Sequence, residues 1–184
     1  LVLGCGGIAF VLVAVPLFLL MGEIILRSGV SSKFYAGVVA LLGRLPGGLL
    51  HANIVSCAVF SAVSGSSVAT AASVGTVAIP ELRKAGYADR ALLGSLAAGG
   101  TLGILIPPSV IMVIYGIMTE TNIGAMFAAG IIPGILATAL LVVAVRYITW
   151  RDPAAGPPGE RTSWPERWRA LSGIWGVALL FALV

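Results

Sequence analysis

Charge is scarce in this sequence, and its absences are the first guide to what the chain is. Lys, Arg, Asp and Glu together make up only 10% of the 184 residues. None of them falls in the stretches 49–80, 91–118 or 123–145. With 59% hydrophobic residues, the chain is far too apolar for a soluble domain of its length and belongs among α-helical membrane proteins. Cysteine is limited to Cys5 and Cys57, both inside apolar segments, which suits small core residues and excludes a disulfide framework. His51 is the single histidine. There is no Gly-x-Ser-x-Gly elbow, no His-Glu-x-x-His pair and no couple of acids beside a base, so the usual enzyme chemistries find no footing. A net charge of +4 would suggest nucleic acid in a soluble protein. Here the basic residues lie in loops between apolar runs, where they report membrane topology, and no nucleic-acid partner is expected. The sequence starts on Leu1-Val-Leu and stops within an apolar run, Gly173 to Val184, too short to cross a bilayer, so it is expected to be an internal piece of a longer polypeptide.

Two stretches interrupt the apolar runs: Val63-Ser-Gly-Ser-Ser-Val-Ala-Thr70 and Gly99-Gly-Thr-Leu-Gly-Ile-Leu-Ile-Pro-Pro-Ser109. Unwound backbone at membrane depth is tolerated only where it is buried in protein or lines a polar cavity. Paired interruptions of this kind point to a transporter's substrate and ion site.

Residues 2–26 read as a first span, with Glu23 four residues before Arg27 as an interfacial ion pair and Pro16 as a kink. A short interfacial helix is expected from Phe34 to Leu42, capped by Ser31 or Ser32 and closed by Gly43. Residues 49–80 are either one tilted span or two half-helices meeting at Ser64-Gly65-Ser66-Ser67. Residues 91–118 form a span broken from Gly103 to Ser109. Residues 123–149 return through a span containing Pro133. Arg151 to Arg161 reads as a flexible polar linker, and Ser163 to Arg169 as an interfacial helix bearing Trp164 and Trp168. Glu81 to Arg90 reads as a solvated turn, and His51 as an interfacial residue.

The basic residues decide between span and hairpin over 49–80. If the chain folds back there, all eleven Lys and Arg residues fall on one side of the membrane; a straight span splits them. The positive-inside rule favours the re-entrant hairpin and makes that side cytoplasmic.

Each interruption ends one half-helix and starts another. Free carbonyls at the ends attract cations, and amides at the starts attract anions. Pro107 and Pro108 remove amide donors and leave upstream carbonyls free. Hydroxyls come from Ser61, Ser64, Ser66, Ser67, Thr70, Thr101 and Ser109, while no acid lies at mid-membrane depth. Such an inventory suits sodium rather than protons, which normally travel by titratable side chains. Gly99 to Gly103 and Gly130 to Gly134 also fit small-residue helix packing, and for the second pair packing is the preferred reading.

The chain resembles the large membrane subunit of tripartite ATP-independent periplasmic (TRAP) transporters, the dicarboxylate-type permease. The resemblance rests on Pro16-Leu-Phe-Leu-Leu-Met-Gly-Glu23, Gly43-Arg-Leu-Pro-Gly-Gly48, Ser64-Gly-Ser-Ser-Val-Ala-Thr-Ala-Ala72, Pro80-Glu-Leu-Arg-Lys-Ala-Gly-Tyr87, and the run from Gly94 to Ser109. It implies an all-α, polytopic, elevator-type transporter half, with a re-entrant helical hairpin and a discontinuous transmembrane helix. It implies scaffold-side elements over 1–48, a transport domain over 49–118, a returning span over 119–150, a cytoplasmic linker and interfacial helix over 151–172, and the start of a next span over 173–184. A sodium site is implied at Ser61, Ser64, Ser66 and Ser67 with the carbonyls of Gly103, Ile106 and Pro108. Ser67, Thr70, Thr101 and Ser109 are the candidates for substrate contact. The implied activity is sodium-coupled import of an organic anion, such as a C4-dicarboxylate, 2-oxoacid or sialic acid, across the bacterial inner membrane. No cofactor is implied beyond Na+ as coupling ion. The implied partners are a small membrane subunit, a periplasmic substrate-binding protein and the lipid bilayer. The rivals are a stand-alone sodium–dicarboxylate or citrate symporter of the same superfamily, a non-transporting membrane scaffold, and an intramembrane hydrolase using Ser66 or Ser67.

Overall fold

The computed structural model describes residues 30–43, 45, 47–152, 156 and 157, together with Val13, Pro16, Leu17, Leu20 and Ile24. The Glu23–Arg27 pair, Cys5, the helix at 163–169, the run 173–184 and most of the first span lie outside the described residues.

Among the described residues the chain is helical with turns between. The helices are α1 (Val30–Leu42), α2 (Gly48–Ser64), α3 (Ser67–Lys84), α4 (Asp89–Gly100), α5 (Leu102–Leu105), α6 (Val110–Met118) and α7 (Ile123–Arg151). Helix α1 starts at Val30 rather than Phe34, so Ser31 and Ser32 sit in its first turn instead of capping it. First-turn amides have no intrahelical partner in any case, and serine there costs the helix little.

The chain folds back between α2 and α3. Ser64 is the last residue of α2, and Gly65 ends the helix in the left-handed region (φ 59°), its amide bonded to the Ser61 carbonyl. Ser66 then takes an extended conformation and caps α3, its Oγ accepting from the Ala69 amide at a long 3.5 Å. At the opposite end the two feet meet: the Leu49 amide, in the first turn of α2, donates to the Tyr87 hydroxyl just after α3 at 3.4 Å. A single straight helix would hold these residues far apart, so the tilted-span alternative is excluded for this fold.

Helix α4 lies across the hairpin through small residues. A Cβ on Gly99 would come within 2.8 Å of Cys57 Sγ, and one on Gly100 within 2.9 Å of Ala71 Cβ. On the hairpin's side, Gly75 makes room for Leu96. Asn53 Nδ2 donates to Ser95 Oγ at 2.8 Å, an α2-to-α4 bond buried in the apolar interior. Helix α1 packs Phe34 edge-on against Phe60, with ring centroids 5.7 Å apart. Helix α7 crosses the broken segment with Gly130 and Gly134, where a Cβ would meet Leu105 O at 3.2 Å and Ile106 Cγ1 at 3.0 Å. Close packing is thus the role of that glycine pair.

The exterior is apolar where α6 and α7 turn outward. Ile111, Tyr115, Met118, Ile132, Ile135 and Leu140 are exposed, while Asn53, Ser56, Ser61 and Thr70 are buried. Two helical stretches, Asp89–Met118 and Ile123–Arg151, are long and apolar enough to cross a membrane. Glu81 to Arg90 is only partly the solvated turn expected. Arg83 and Asp89 form an exposed ion pair at 3.0 Å, but Leu82 and Tyr87 are buried against the hairpin.

Candidate functional site

The two interruptions meet. The Val110 amide, which a continuous helix would give to Ile106, donates instead to the Gly65 carbonyl at 3.2 Å. A Cβ on Gly65 would stand 2.6 Å from the Pro108 carbonyl oxygen, and one on Gly103 would stand 2.7 Å from both Ser66 C and Ser67 N. Only glycine allows backbone this close at either position, and at Gly65 the positive φ demands it as well.

The break in the second segment is narrower than the sequence suggests. Helix α5 continues to Leu105, and the unwound residues are Ile106 to Ser109. Gly103 is helical; its smallness serves contact with the hairpin tip, whereas Pro107 and Pro108 do the breaking. The i to i+4 pattern assigns the missing proline amides to the Gly103 and Ile104 carbonyls, which therefore lose their helical donors. Ile104 is a carbonyl the sequence reading passed over, although counting back four residues from Pro108 identifies it.

Hydroxyls cluster at the same junction. Ser64 Oγ and Thr70 Oγ1 share a hydrogen bond of 2.7 Å, and Ser64 Oγ also donates to the Ser66 carbonyl at 3.3 Å. Ser61 and Ser109 are buried, and neither Oγ has a hydrogen-bond partner among the described residues. Ser109 stands at the start of α6 without capping it. Val63, Ser64, Gly65, Pro108, Ser109, Val110 and Val113 border a small, mostly apolar hollow at the junction. A buried hydroxyl without a partner costs about 1–3 kcal/mol; Tyr35, Asn53 and Ser56 also bury a side-chain oxygen without a partner among the described residues.

The other expected residues are placed less centrally. Ser66 and Ser67 are half-buried, with their backbone against Gly103. Ile106 ends α5 in extended conformation and turns its side chain toward Gly134 on α7. Thr101 is exposed and donates back to the Ala98 carbonyl at 2.7 Å, so the fold does not bring its hydroxyl into the buried junction. His51 is buried, and its Nδ1 lies 3.0 Å from the Gly47 carbonyl at the foot of α2. No group of three or more His, Cys, Asp or Glu gathers among the described residues. Oxygen from hydroxyls and carbonyls is what the junction offers, a donor set that fits a hard monovalent cation.

Residues 6–184 match the model of the DctM component of tripartite ATP-independent periplasmic transporters. The chain belongs to the DctM family. Among its relatives is the C4-dicarboxylate TRAP transporter large permease protein DctM of Pseudomonas aeruginosa, 39% identical over 177 residues, covering 95% of this chain and 41% of that protein. The DctM protein of Vibrio cholerae serotype O1 is 36% identical over 176 residues, covering 95% of this chain and 38% of that protein. The sialic acid TRAP transporter large permease protein SiaM of the same organism is 41% identical over 144 residues, covering 78% of this chain and 34% of that protein. This DctM-family chain therefore spans about two-fifths of the length of the DctM relatives it matches. The family consists of membrane transport proteins, not enzymes, which removes the hydrolase reading.

Proposed function

We propose that this chain is part of the large permease of a TRAP transporter, and that the whole transporter imports an organic acid across the bacterial inner membrane, driven by sodium. The carrying observation is the junction itself. Two broken helical segments meet backbone to backbone, near buried hydroxyls of Ser61 and Ser109 that have no partner among the described residues, and Pro107 and Pro108 cannot donate to the carbonyls four residues before them. In this reading α2 and α3 are a re-entrant hairpin and α4 to α6 a discontinuous transmembrane helix. Both belong to a transport domain over 49–118 that moves as an elevator. Residues 1–48 act on the scaffold side, 119–150 return across the membrane, and 151–172 lie on the cytoplasmic side before a next span at 173–184.

Sodium is held by Ser61, Ser64, Ser66 and Ser67 with the carbonyls of Gly103, Ile106 and Pro108, to which we add the Ile104 carbonyl and Ser109, whose buried hydroxyl has no partner among the described residues. The substrate lies beside it, toward Ser67, Thr70 and Ser109, and is shared with the part of the protein beyond this chain. A small membrane subunit and a periplasmic binding protein complete the transporter. Relatives named for C4-dicarboxylates and for sialic acid support an organic acid as the cargo.

The test is uptake of labelled succinate and of labelled sialic acid by the full complex in proteoliposomes. Ser64→Ala is expected to raise the sodium concentration for half-maximal uptake about tenfold, equivalent to about 1.4 kcal/mol. Uptake with unchanged sodium dependence would remove the site.

A further inference from the structure

Arg151 to Arg161 has the composition of a free linker, rich in Pro, Gly and Ala. Two of its residues are nevertheless held. The Tyr87 hydroxyl donates to the Pro157 carbonyl at 2.7 Å while accepting from the Leu49 amide at 3.4 Å. The Gly47 amide donates to the Gly156 carbonyl at 3.2 Å. Thr149, in the last turns of α7, fills the space beside both glycines: a Cβ on Gly156 would meet Thr149 Cγ2 at 2.7 Å and Gly47 Cα at 3.0 Å. Tyr87 and Thr149 are buried.

We infer that Tyr87, Gly47 and Gly156 form a clasp that binds Gly156–Pro157 to both feet of the hairpin. Leu49 belongs to the ingoing foot and Tyr87 to the outgoing one, so a single hydroxyl bridges the two feet and bonds Pro157 as well. The clasp joins the hairpin to the C-terminal end of α7 as one body. A displacement of the hairpin must then carry Gly156 and Pro157 with it or break these bonds. The clasp stands on its contacts alone, whether or not the chain carries sodium or an organic acid.

Cooperation between the two bonds is what separates a clasp from two unrelated contacts. Site-resolved hydrogen exchange on the full-length protein in lipid nanodiscs reads it. Tyr87→Phe removes the bonds to Leu49 and Pro157 but touches no atom of the Gly47–Gly156 bond. It is expected to speed exchange at the Gly47 amide by roughly 2- to 12-fold, the loss of about one net hydrogen bond. Gly156→Ala works from the linker side, wedging its Cβ against Thr149 and Gly47. It is expected to speed exchange at the Leu49 amide by a similar factor, with the interior of α2 from Ile54 to Ala62 unchanged. If each variant affects only the amides it bonds directly, or if exchange rises uniformly along α2, the clasp is overturned.

Discussion

The Val110 amide bonds the Gly65 carbonyl across 3.2 Å, so the start of one half-helix is spliced to the turn between two others. This bond exists because Pro107 and Pro108 end α5 early and because Gly65 can adopt a positive φ with the Pro108 carbonyl pressed against its Cα. The two broken segments are therefore one structural unit, and perturbing either backbone disturbs both.

Gly65→Ala tests that unit. Alanine must accept the left-handed conformation and place a methyl 2.6 Å from the Pro108 oxygen. The conformation alone costs on the order of 1–3 kcal/mol. The full-length protein in detergent should melt several degrees lower. Gly94→Ala is the control, since its Cβ meets nothing within 4 Å and it lies inside α4. Helix propensity predicts no loss there and a gain of up to about 1 kcal/mol. Equal melting temperatures for the two variants would show that the junction does not depend on Gly65.

Gly103→Ala separates breaking from packing. Gly103 is helical, so alanine suits its backbone, yet the methyl would press on Ser66 and Ser67 at 2.7 Å. Rigid backbone cannot yield as a side-chain end can. Uptake should fall at least tenfold while the variant still inserts and folds, as judged by its yield as monodisperse full-length protein in detergent. Wild-type uptake would mean that the hairpin tip has room for a methyl group after all.

Much of this arrangement is legible in the sequence. The ends of α2 and α3 at Ser64 and Ser67 follow from the Ser-Gly-Ser-Ser run, because small polar residues with a glycine both stop one helix and cap the next. The fold-back over 49–80 follows from where Lys and Arg fall. Other features stay hidden because they depend on partners distant in the chain. Tyr87 reads as one residue of a polar turn, and only Leu49 and Pro157 reveal why it is buried. Thr101 has the right chemistry for the site, but its hydroxyl satisfies the Ala98 carbonyl of its own helix. Gly103 looks like part of the break because glycine signals both flexibility and close approach, and sequence does not tell these apart.

Membrane sidedness can be tested at the outgoing foot of the hairpin. Ala85 is exposed, follows α3 and precedes the left-handed Gly86, so a cysteine there avoids backbone strain. Ala85→Cys in a background free of other reactive cysteines should react with a membrane-impermeant maleimide only when the cytoplasmic face is opened. Labelling from the periplasm would reverse the orientation that the basic residues give to the hairpin feet.

The partnerless hydroxyls of Ser61 and Ser109 make a prediction whose sign changes with the ion. Without sodium, each is a buried polar group lacking compensation among the described residues, so Ser109→Ala should leave stability unchanged or raise it by about 1 kcal/mol. With sodium, the wild-type protein gains stability by mass action, since a ligand bound to the native state alone stabilises by RT ln(1 + [L]/Kd). Ser109→Ala and Ser61→Ala should each lose most of that gain. The measurement is a melting curve in choline chloride and in sodium chloride at equal ionic strength, with potassium chloride as a second control. A sodium-dependent shift in both variants as large as in the wild type would mean that these hydroxyls do not touch the ion. A variant less stable than wild type in choline would mean that the hydroxyl already has a partner, and the site would have to be built without it.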